Sequence, residues 1–235
     1  MNERTTVDVE IWSDVVCPWC YIGKRRFEAA LAAFEHRDSV RVLWRSFELD
    51  PLAPAERVGD TATHLAGKYG RSRGEALAML ESVTEVAAAE GLDFRFDRAR
   101  GGNTLDAHRL LHLASLVERQ DELKERLMHA YFTEGEPIGD PTALERIAVA
   151  SGLPAGEVRD VLATGRFAAE VREDEQAATA LGSSAVPFFV LDRGLAVSGA
   201  QAPEVLLDLL RRGWSMQPAV ASATRGSTYA ADTDA

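Results

Sequence analysis

The spacing of apolar residues changes twice along the chain and divides it into three parts. In residues 7–13, VDVEIWS, apolar and polar residues alternate, which predicts a β-strand. Near-helical spacing follows in residues 21–37, and strand alternation returns in residues 40–51. The order strand, helix, strand predicts a parallel crossover unit in the first part of the chain.

The middle part is helical in pattern from Thr61 to about Leu181. Asp140 followed by Pro141 is typical of a helix start, and a glycine ends three of the helical patterns. The amphipathic segments occupy residues 73–91, 104–120, 140–154 and 166–182.

Strand alternation resumes in the third part, in residues 186–192 and 195–199, and a closing helix pattern follows in residues 202–214. Joined across the middle part, the flanks form an α/β domain of order β-α-β/β-β-α that a helical domain interrupts. The C-terminal stretch has no periodicity and predicts a flexible tail. We expect the halves of the α/β domain at residues 1–55 and 182–214, the inserted helical domain at 56–181 and the tail at 215–235.

Composition and charge narrow the class of protein. The chain is 46% hydrophobic and 27% charged, as expected of a soluble globular protein, and no apolar run approaches the ~18 residues of a membrane span. The N-terminal residues show no export signal, so we expect a cytoplasmic protein without a membrane partner. A net charge of -11 argues against nucleic acid as a partner. The basic run Lys24, Arg25, Arg26 is predicted to be the solvated face of a helix.

The two cysteines, Cys17 and Cys20, are separated by Pro18 and Trp19. Two cysteines do not make a disulfide framework, and a bond across so short a loop stabilises little. A structural zinc site needs about four ligands, and the chain has no second cysteine pair and no histidine spacing that supplies them. We therefore expect no metal. A C-x-x-C pair beside a βαβ pattern indicates redox chemistry.

The position of the pair suggests how the two thiols divide the work. A proline is tolerated in the first turn of a helix, so Pro18 places Cys17 at a helix N-terminus, where an anion is favoured and the pKa of a thiol falls. Cys20, one turn further, lies within bonding reach. We expect Cys17 to be the exposed nucleophile and Cys20 the more buried, resolving thiol.

A second segment, SSAVPFFVLD, bears on the same chemistry. A thiol exchanger needs an extended backbone edge beside its sulfur, and a cis-proline before a strand supplies one. Cis peptides are costly except before proline, which makes Val186-Pro187 the best candidate. A trans-proline at the first position of a strand is the alternative.

Four motifs follow one another along the chain, namely SDVVCPWCYIGKRRFE, GNTLDAHRL, AVPFFVLD and VSGAQ. Together they resemble the FrnE-type branch of the DsbA-like thioredoxin superfamily, across about residues 5–213. The resemblance implies a thioredoxin fold with an inserted helical domain and thiol-disulfide oxidoreductase activity. It also implies that Cys17 attacks, Cys20 resolves and Pro187 is the cis-proline. No cofactor beyond the dithiol is expected, and the expected partner is a disulfide- or thiol-containing protein, peptide or small molecule.

The same superfamily holds an alternative. Kappa-class glutathione transferases and 2-hydroxychromene-2-carboxylate isomerases share the helical insertion and the GNTLDAHRL motif. They usually carry serine in place of Cys17 and lack the second cysteine. This alternative implies glutathione as a co-substrate, held by the backbone of Val186, and an aromatic small molecule as substrate.

Other residues near these motifs are candidates for a functional role, and some of them also have a purely structural explanation. Trp19 stands where secreted DsbA proteins usually have histidine, so we expect a less oxidising couple. Asp14 is a candidate proton shuttle for Cys20, or a cap of the following turn or helix. Asn103 either faces Cys17 from the cleft wall or caps a helix, and His108 is expected to be a satisfied packing residue. Pro18, Trp19, Val186, Pro187 and Asn103 are the predicted substrate-binding residues, while Trp12 and Phe188 are expected in the core.

Overall fold

A mixed four-stranded β-sheet carries the two cysteines at one end. The computed structural model describes residues 6–216. In the sheet the strand order is β2-β1-β3-β4; β1 pairs parallel with β2 and antiparallel with β3, and β4 pairs antiparallel with β3. The parallel crossover predicted from the first part of the chain is therefore confirmed. The strands are β1 (Val7–Ser13), β2 (Val40–Ser46), β3 (Phe188–Leu191) and β4 (Leu195–Ser198).

Helices connect and cover the sheet. α1 joins β1 to β2 with a short 3-10 turn at Arg37–Ser39, and a π-helical turn at Ala130–Glu134 continues α5. Within the described residues, seven helices lie between β2 and β3, so the predicted helical character of this part is confirmed, but α2, α5 and α7 add to the four segments that the pattern showed. The domain limits themselves stay predictions. The helices are α1 (Pro18–Ala32), α2 (Thr61–Tyr69), α3 (Arg73–Ala89), α4 (Leu105–Ser115), α5 (Gln120–His129), α6 (Pro141–Ala150), α7 (Ala155–Ala163), α8 (Ala168–Ala180) and α9 (Pro203–Met216).

The last helix ends later than expected. Helix α9 extends to Met216, so its last two residues fall within the tail predicted from Ser215. The rest of the predicted tail, residues 217–235, lies outside the described residues. No helix in the part of the chain that the structure describes is long and apolar enough to cross a membrane.

Local signals account for several helix starts. The side chain of Asp140 accepts a hydrogen bond from the Thr142 backbone N–H at 3.0 Å, with a proline next to it, so α6 begins as predicted. Ser72 and Glu75 form a reciprocal capping box at the start of α3. These contacts satisfy backbone N–H groups that the first turn leaves unpaired.

The two faces of the sheet are covered differently. One face packs apolar side chains of β1 and β3 against α1 and α9. On the other face Trp12 and Phe188 are buried together, with ring centres 5.8 Å apart, beside Ala178 of α8. Both aromatic residues therefore belong to the core, as expected.

Asp174 of α8 ties the insertion to this second face. Its carboxylate accepts a hydrogen bond from the Ser46 backbone N–H at 2.8 Å and pairs with Arg45 at 3.3 Å. Its backbone carbonyl accepts a hydrogen bond from the indole of Trp12 at 2.7 Å. Glu10, on the same side of β1 as Trp12, is buried against Arg45 of β2.

The prediction that Lys24, Arg25 and Arg26 form a solvated face of α1 is wrong for Lys24. Lys24 is only 2% exposed, and it pairs with Glu28, with Asp121 at 3.3 Å and with Glu125 at 3.1 Å. Arg25 pairs with the same Glu125. Helix α5 of the insertion packs on this face of α1 and brings the carboxylates with it. The pattern of α1 alone does not show which helix covers it.

We expect Asp174→Ala to lower the free energy of unfolding by about 3 kcal/mol, because it leaves the buried Ser46 N–H without its acceptor and removes one of the two carboxylates that pair with Arg45. Urea unfolding measures the difference. The neighbouring exposed residue gives the matched control, and Glu173→Ala should change stability by no more than ~0.5 kcal/mol. Equal effects of the two substitutions would contradict the anchoring role of Asp174.

Candidate active site

Cys17 and Cys20 lie on the first turn of α1. Cys17 caps the helix with extended backbone angles (φ -88°, ψ 115°), and Pro18 is the first helical residue. The backbone N–H of Cys20 donates to the carbonyl of Cys17 at 3.0 Å, which closes the turn. Both cysteines are free thiols. Sequence spacing alone therefore predicted their position on the helix.

Their exposure differs from expectation. Cys20 is buried as predicted, but Cys17 is also buried, with 4% of its surface exposed. Cys17 lies in the lining of a cleft, and the thiol donates to the carbonyl of Val186 at 3.8 Å. A long-range contact thus covers a sulfur that the local pattern had placed at the surface.

The loop beside Cys17 packs directly on α1. The Val186-Pro187 peptide bond is cis. Pro187 is buried, and a side chain on Gly23 would place its Cβ 2.9 Å from the Cγ of Pro187. Only a residue without a side chain leaves room for this approach. Gly23 therefore sets the distance between the first turns of α1 and the loop that faces Cys17.

The cleft has a volume of about 1180 Å³. Cys17, Pro18, Trp19 and Val186 form part of its lining, and much of the rest comes from α2 and α3 of the insertion. Several lining side chains are large, apolar and exposed, which suits an apolar ligand; they are Trp19, Leu49, Val58, Tyr69 and Met79.

Both ends of the Asn103 side-chain amide form hydrogen bonds at the start of α4. Its amide oxygen accepts a hydrogen bond from the Leu105 backbone N–H at 2.9 Å, and its amide nitrogen donates to the carbonyl of Pro51 at 3.3 Å. The neighbouring Gly102 and Thr104 line the cleft. The structure therefore shows the capping role that the sequence left open, and a substrate contact for Asn103 stays a prediction.

Asp14 is buried in the lining of the same cleft as Cys17, and its side chain does not cap the following turn. Its carboxylate accepts hydrogen bonds from the Leu49 backbone N–H at 2.8 Å and from Nε2 of His108 at 3.4 Å. Burial opposes ionisation, but the bond and charge of His108, the Leu49 N–H and the charge of Lys124 outweigh it and lower the pKa of Asp14. His108 is a packing residue as expected, but it is not fully satisfied, because its buried Nδ1 has no hydrogen-bond partner among the described residues.

Lys124 is the residue that sequence reasoning missed. It lies on α5, is fully buried, and its Nζ donates to the carbonyl of Ser13 at 3.2 Å. Burial lowers the pKa of Lys124 to about 8, although the charges of Cys20, Asp14 and Cys17 oppose that change. A signal was present in the sequence, because Lys124 occupies a position on the apolar face of α5 shared with Leu127 and Met128.

The two thiols influence each other. Burial raises the pKa of Cys20 well above its ordinary value, and the hydrogen bond with Cys17 raises it further. The charge of Lys124 acts in the opposite direction. Cys20 is thus a neutral thiol, and a base must take its proton before it can attack.

Comparisons with known proteins agree with this geometry. The sequence profile of the family described as DSBA-like thioredoxin domain matches residues 8–211. The crystal structure of a probable DsbA oxidoreductase from Streptomyces coelicolor is 47% identical in sequence, with a TM-score of 0.86, and the match covers 90% of this chain and 92% of that one. The architecture is thus a DsbA-like thioredoxin fold with a helical insertion.

Two more distant structures share the fold. The cytosolic disulfide reductase DsbM from Pseudomonas aeruginosa, determined with GSH, is 17% identical at a TM-score of 0.63, covering 89% of this chain and all of that one. A 2-hydroxychromene-2-carboxylate isomerase is 15% identical at the same TM-score, covering 87% and 95% of the two chains. The isomerase that the sequence motifs named as the alternative therefore appears among the structural neighbours.

The close approach of α1 to Pro187 gives a test of the site's packing. We expect Gly23→Ala to lower the free energy of unfolding by about 1–3 kcal/mol, because the new methyl group overlaps Pro187. Gly67→Ala is the matched control in α2, where a Cβ meets nothing within 4 Å, and it should stabilise the protein by ~0.5–1 kcal/mol. Thermal or urea unfolding compares the two. A gain in stability for both would contradict the packing described.

Proposed function

The chain belongs to the family of DSBA-like thioredoxin domains, and from this premise we propose that it is a cytosolic thiol-disulfide oxidoreductase with Cys17 and Cys20 as its dithiol. The observation that carries the proposal is the position of Cys17. Its sulfur lies at a helix N-terminus, in the lining of a cleft, and 3.8 Å from the backbone carbonyl of Val186. A thiolate is favoured at such a helix end and is the attacking species in disulfide exchange.

The reaction transfers two electrons between the dithiol and a substrate disulfide. The Cys17 thiolate attacks one sulfur of the substrate, a Cys17–substrate disulfide forms, and the other substrate sulfur leaves as a thiolate and takes a proton from solvent. Cys20 then loses its proton and attacks the sulfur of Cys17. The second substrate thiolate leaves, and Cys17 and Cys20 are joined. The reverse sequence oxidises a substrate dithiol.

The cleft supports a peptide or a small thiol as substrate. An extended chain beside Cys17 meets the backbone of Val186, and the apolar side chains of the lining, including Trp19 and Tyr69, cover its side chains. Glutathione is a candidate co-substrate, which the fold shared with a reductase determined with GSH supports. The cytosolic address is proposed from the same neighbour.

The proposal is tested by reduction of insulin disulfides with a thiol reductant. Cys17→Ser should abolish catalysis, because no other described residue offers a thiolate at the helix end. Cys20→Ser should form a stable mixed disulfide through Cys17 and lose turnover, and mass spectrometry detects that adduct. Full insulin reductase activity of Cys17→Ser would overturn the assignment.

Cys17→Ser and Cys20→Ser also distinguish the oxidoreductase from the alternative function. A glutathione-dependent transferase or isomerase would act on an aromatic electrophile with glutathione and would survive Cys20→Ser. The observation in favour of this second candidate is the fold shared with the isomerase. Turnover that is lost in Cys20→Ser supports the oxidoreductase instead, because only disulfide chemistry needs the resolving thiol.

Trp19 gives a prediction about the redox couple. An imidazolium between the cysteines stabilises the reduced form through the Cys17 thiolate, and an indole has no such charge. We expect a potential closer to the ~-270 mV of thioredoxin than to the ~-120 mV of DsbA, and Trp19→His should raise it by at least ~30 mV. Trp19→Phe, which adds no charge, is the control. Titration against glutathione buffers measures all three, and an unchanged potential in Trp19→His would contradict the role of charge at this position.

A further inference from the structure

Lys124 is a buried cation within electrostatic reach of both thiols, and the reaction described above leaves it unused. Lysine is almost never fully buried unless it is paired, yet Lys124 has no exposed surface. Its ammonium donates to the carbonyl of Ser13, the last residue of β1, and lies 5.7 Å from the centre of the Trp44 ring. Neither group carries a charge to compensate it, and the acidic groups that act most strongly on the ammonium are Cys20, Asp14 and Cys17.

Every element packed around Lys124 contributes to its electrostatic balance. Burial favours the neutral amine, and the nearby ammonium of Lys24 on α1 acts in the same direction. Cys20 and Cys17 on α1, and Asp14 after β1, favour the ammonium. From α4, His108 acts indirectly, because it donates to the carboxylate of Asp14. The neutral and protonated forms of Lys124 are therefore both accessible near neutral pH.

We propose that Lys124 accepts the proton of the Cys20 thiol when Cys20 attacks the mixed disulfide on Cys17, and returns it in the reverse reaction. This inference rests on the proposed function, because it assigns the proton of one of its steps. The neutral amine of Lys124 takes the proton and becomes an ammonium. The Cys20 thiolate forms the new bond to the sulfur of Cys17, and the substrate thiolate leaves with the electron pair of the broken S–S bond.

Two features favour Lys124 over Asp14 as the acceptor. The hydrogen bonds from Leu49 and His108 already occupy the carboxylate of Asp14 and favour its ionised form, which makes it a weak base. The amine of Lys124 has one hydrogen-bond acceptor in the structure, Ser13, and its lone pair is free when it is neutral. Asp14 instead contributes a negative charge that keeps the proton on Lys124 once it has been transferred.

Attack by Cys20 can be observed separately with dithiobis(nitrobenzoate), because each nitrothiobenzoate thiolate that is released absorbs visible light. In stopped-flow measurements on the reduced full chain, a first phase reports attack by Cys17 and a second, reagent-independent phase reports attack by Cys20. The second-phase rate of the parent should rise with pH and level off, with a midpoint near pH 8 where Lys124 becomes neutral. A parent protein that releases one equivalent, as Cys20→Ser should, would show that the proposed dithiol function fails, whatever the role of Lys124.

Lys124→Met should slow the second phase at least tenfold at pH 8, and its rate should rise through the whole pH range without levelling off, because only water or hydroxide then takes the proton. Lys124→Arg should be slowed similarly, since a guanidinium keeps its proton. A parental rate in Lys124→Arg would show that a fixed charge suffices and would overturn the proposal. Leu210→Ala, at a buried residue of α9 in the core on the opposite face of the sheet, controls for lost stability and should keep the second phase within twofold of the parent.

Asp14→Asn decides the question even where the arginine variant does not fold. If Lys124 is the acceptor, the second phase persists and the midpoint of its pH profile moves to lower pH, because loss of the carboxylate charge makes the ammonium easier to deprotonate. A second phase that is lost in Asp14→Asn and retained in Lys124→Met would make Asp14 the acceptor and overturn the proposal.

Discussion

The first two turns of α1 are held between two segments that are far apart in sequence, and the reactive geometry depends on that double contact. Pro187 packs against Gly23 on one side. On the other, Glu125 of the insertion accepts a hydrogen bond from the Tyr21 hydroxyl at 2.6 Å and pairs with both Lys24 and Arg25. The dithiol at the start of the helix is thereby fixed relative to both the Val186 edge and the cleft walls.

Burial of the dithiol makes it harder to form a thiolate. Removing a thiolate from water is costly, and the raised pKa of Cys20 reflects this cost. The positive end of α1 acts on Cys17, which caps the helix, but Cys20 lies a turn further along. The cationic side chain whose charge acts on Cys20, Lys124, comes from the insertion. The insertion therefore contributes to the reactivity of the thiols as well as to the walls of the cleft.

The sequence predicted what short-range patterns encode. Strand alternation gave β1 and β2, the Pro18 signal gave the start of α1, and Asp140 gave the start of α6, because each depends on neighbours a few residues away. It did not predict contacts across the insertion: the burial of Cys17 by Val186, the pairing of Asp14 with His108, or the burial of Lys24 by α5. Those contacts join residues that no local periodicity relates. Lys124 falls between the two cases, since a lysine on the apolar face of a helix is visible in the sequence but its partner is not.

Trp19 and Lys124 act on the same couple from opposite sides. A histidine at position 19 would bring a cation to the solvent side of Cys17, where substrate also binds, whereas Lys124 brings one to the buried side, next to Cys20. A cation on the outer side stabilises the attacking thiolate and so favours the reduced form. A titratable group on the inner side acts on the resolving thiol and on the rate at which a mixed disulfide is released. With the proton transfer proposed for Lys124, an indole outside and an amine inside would favour fast release of the mixed disulfide over a strongly oxidising couple.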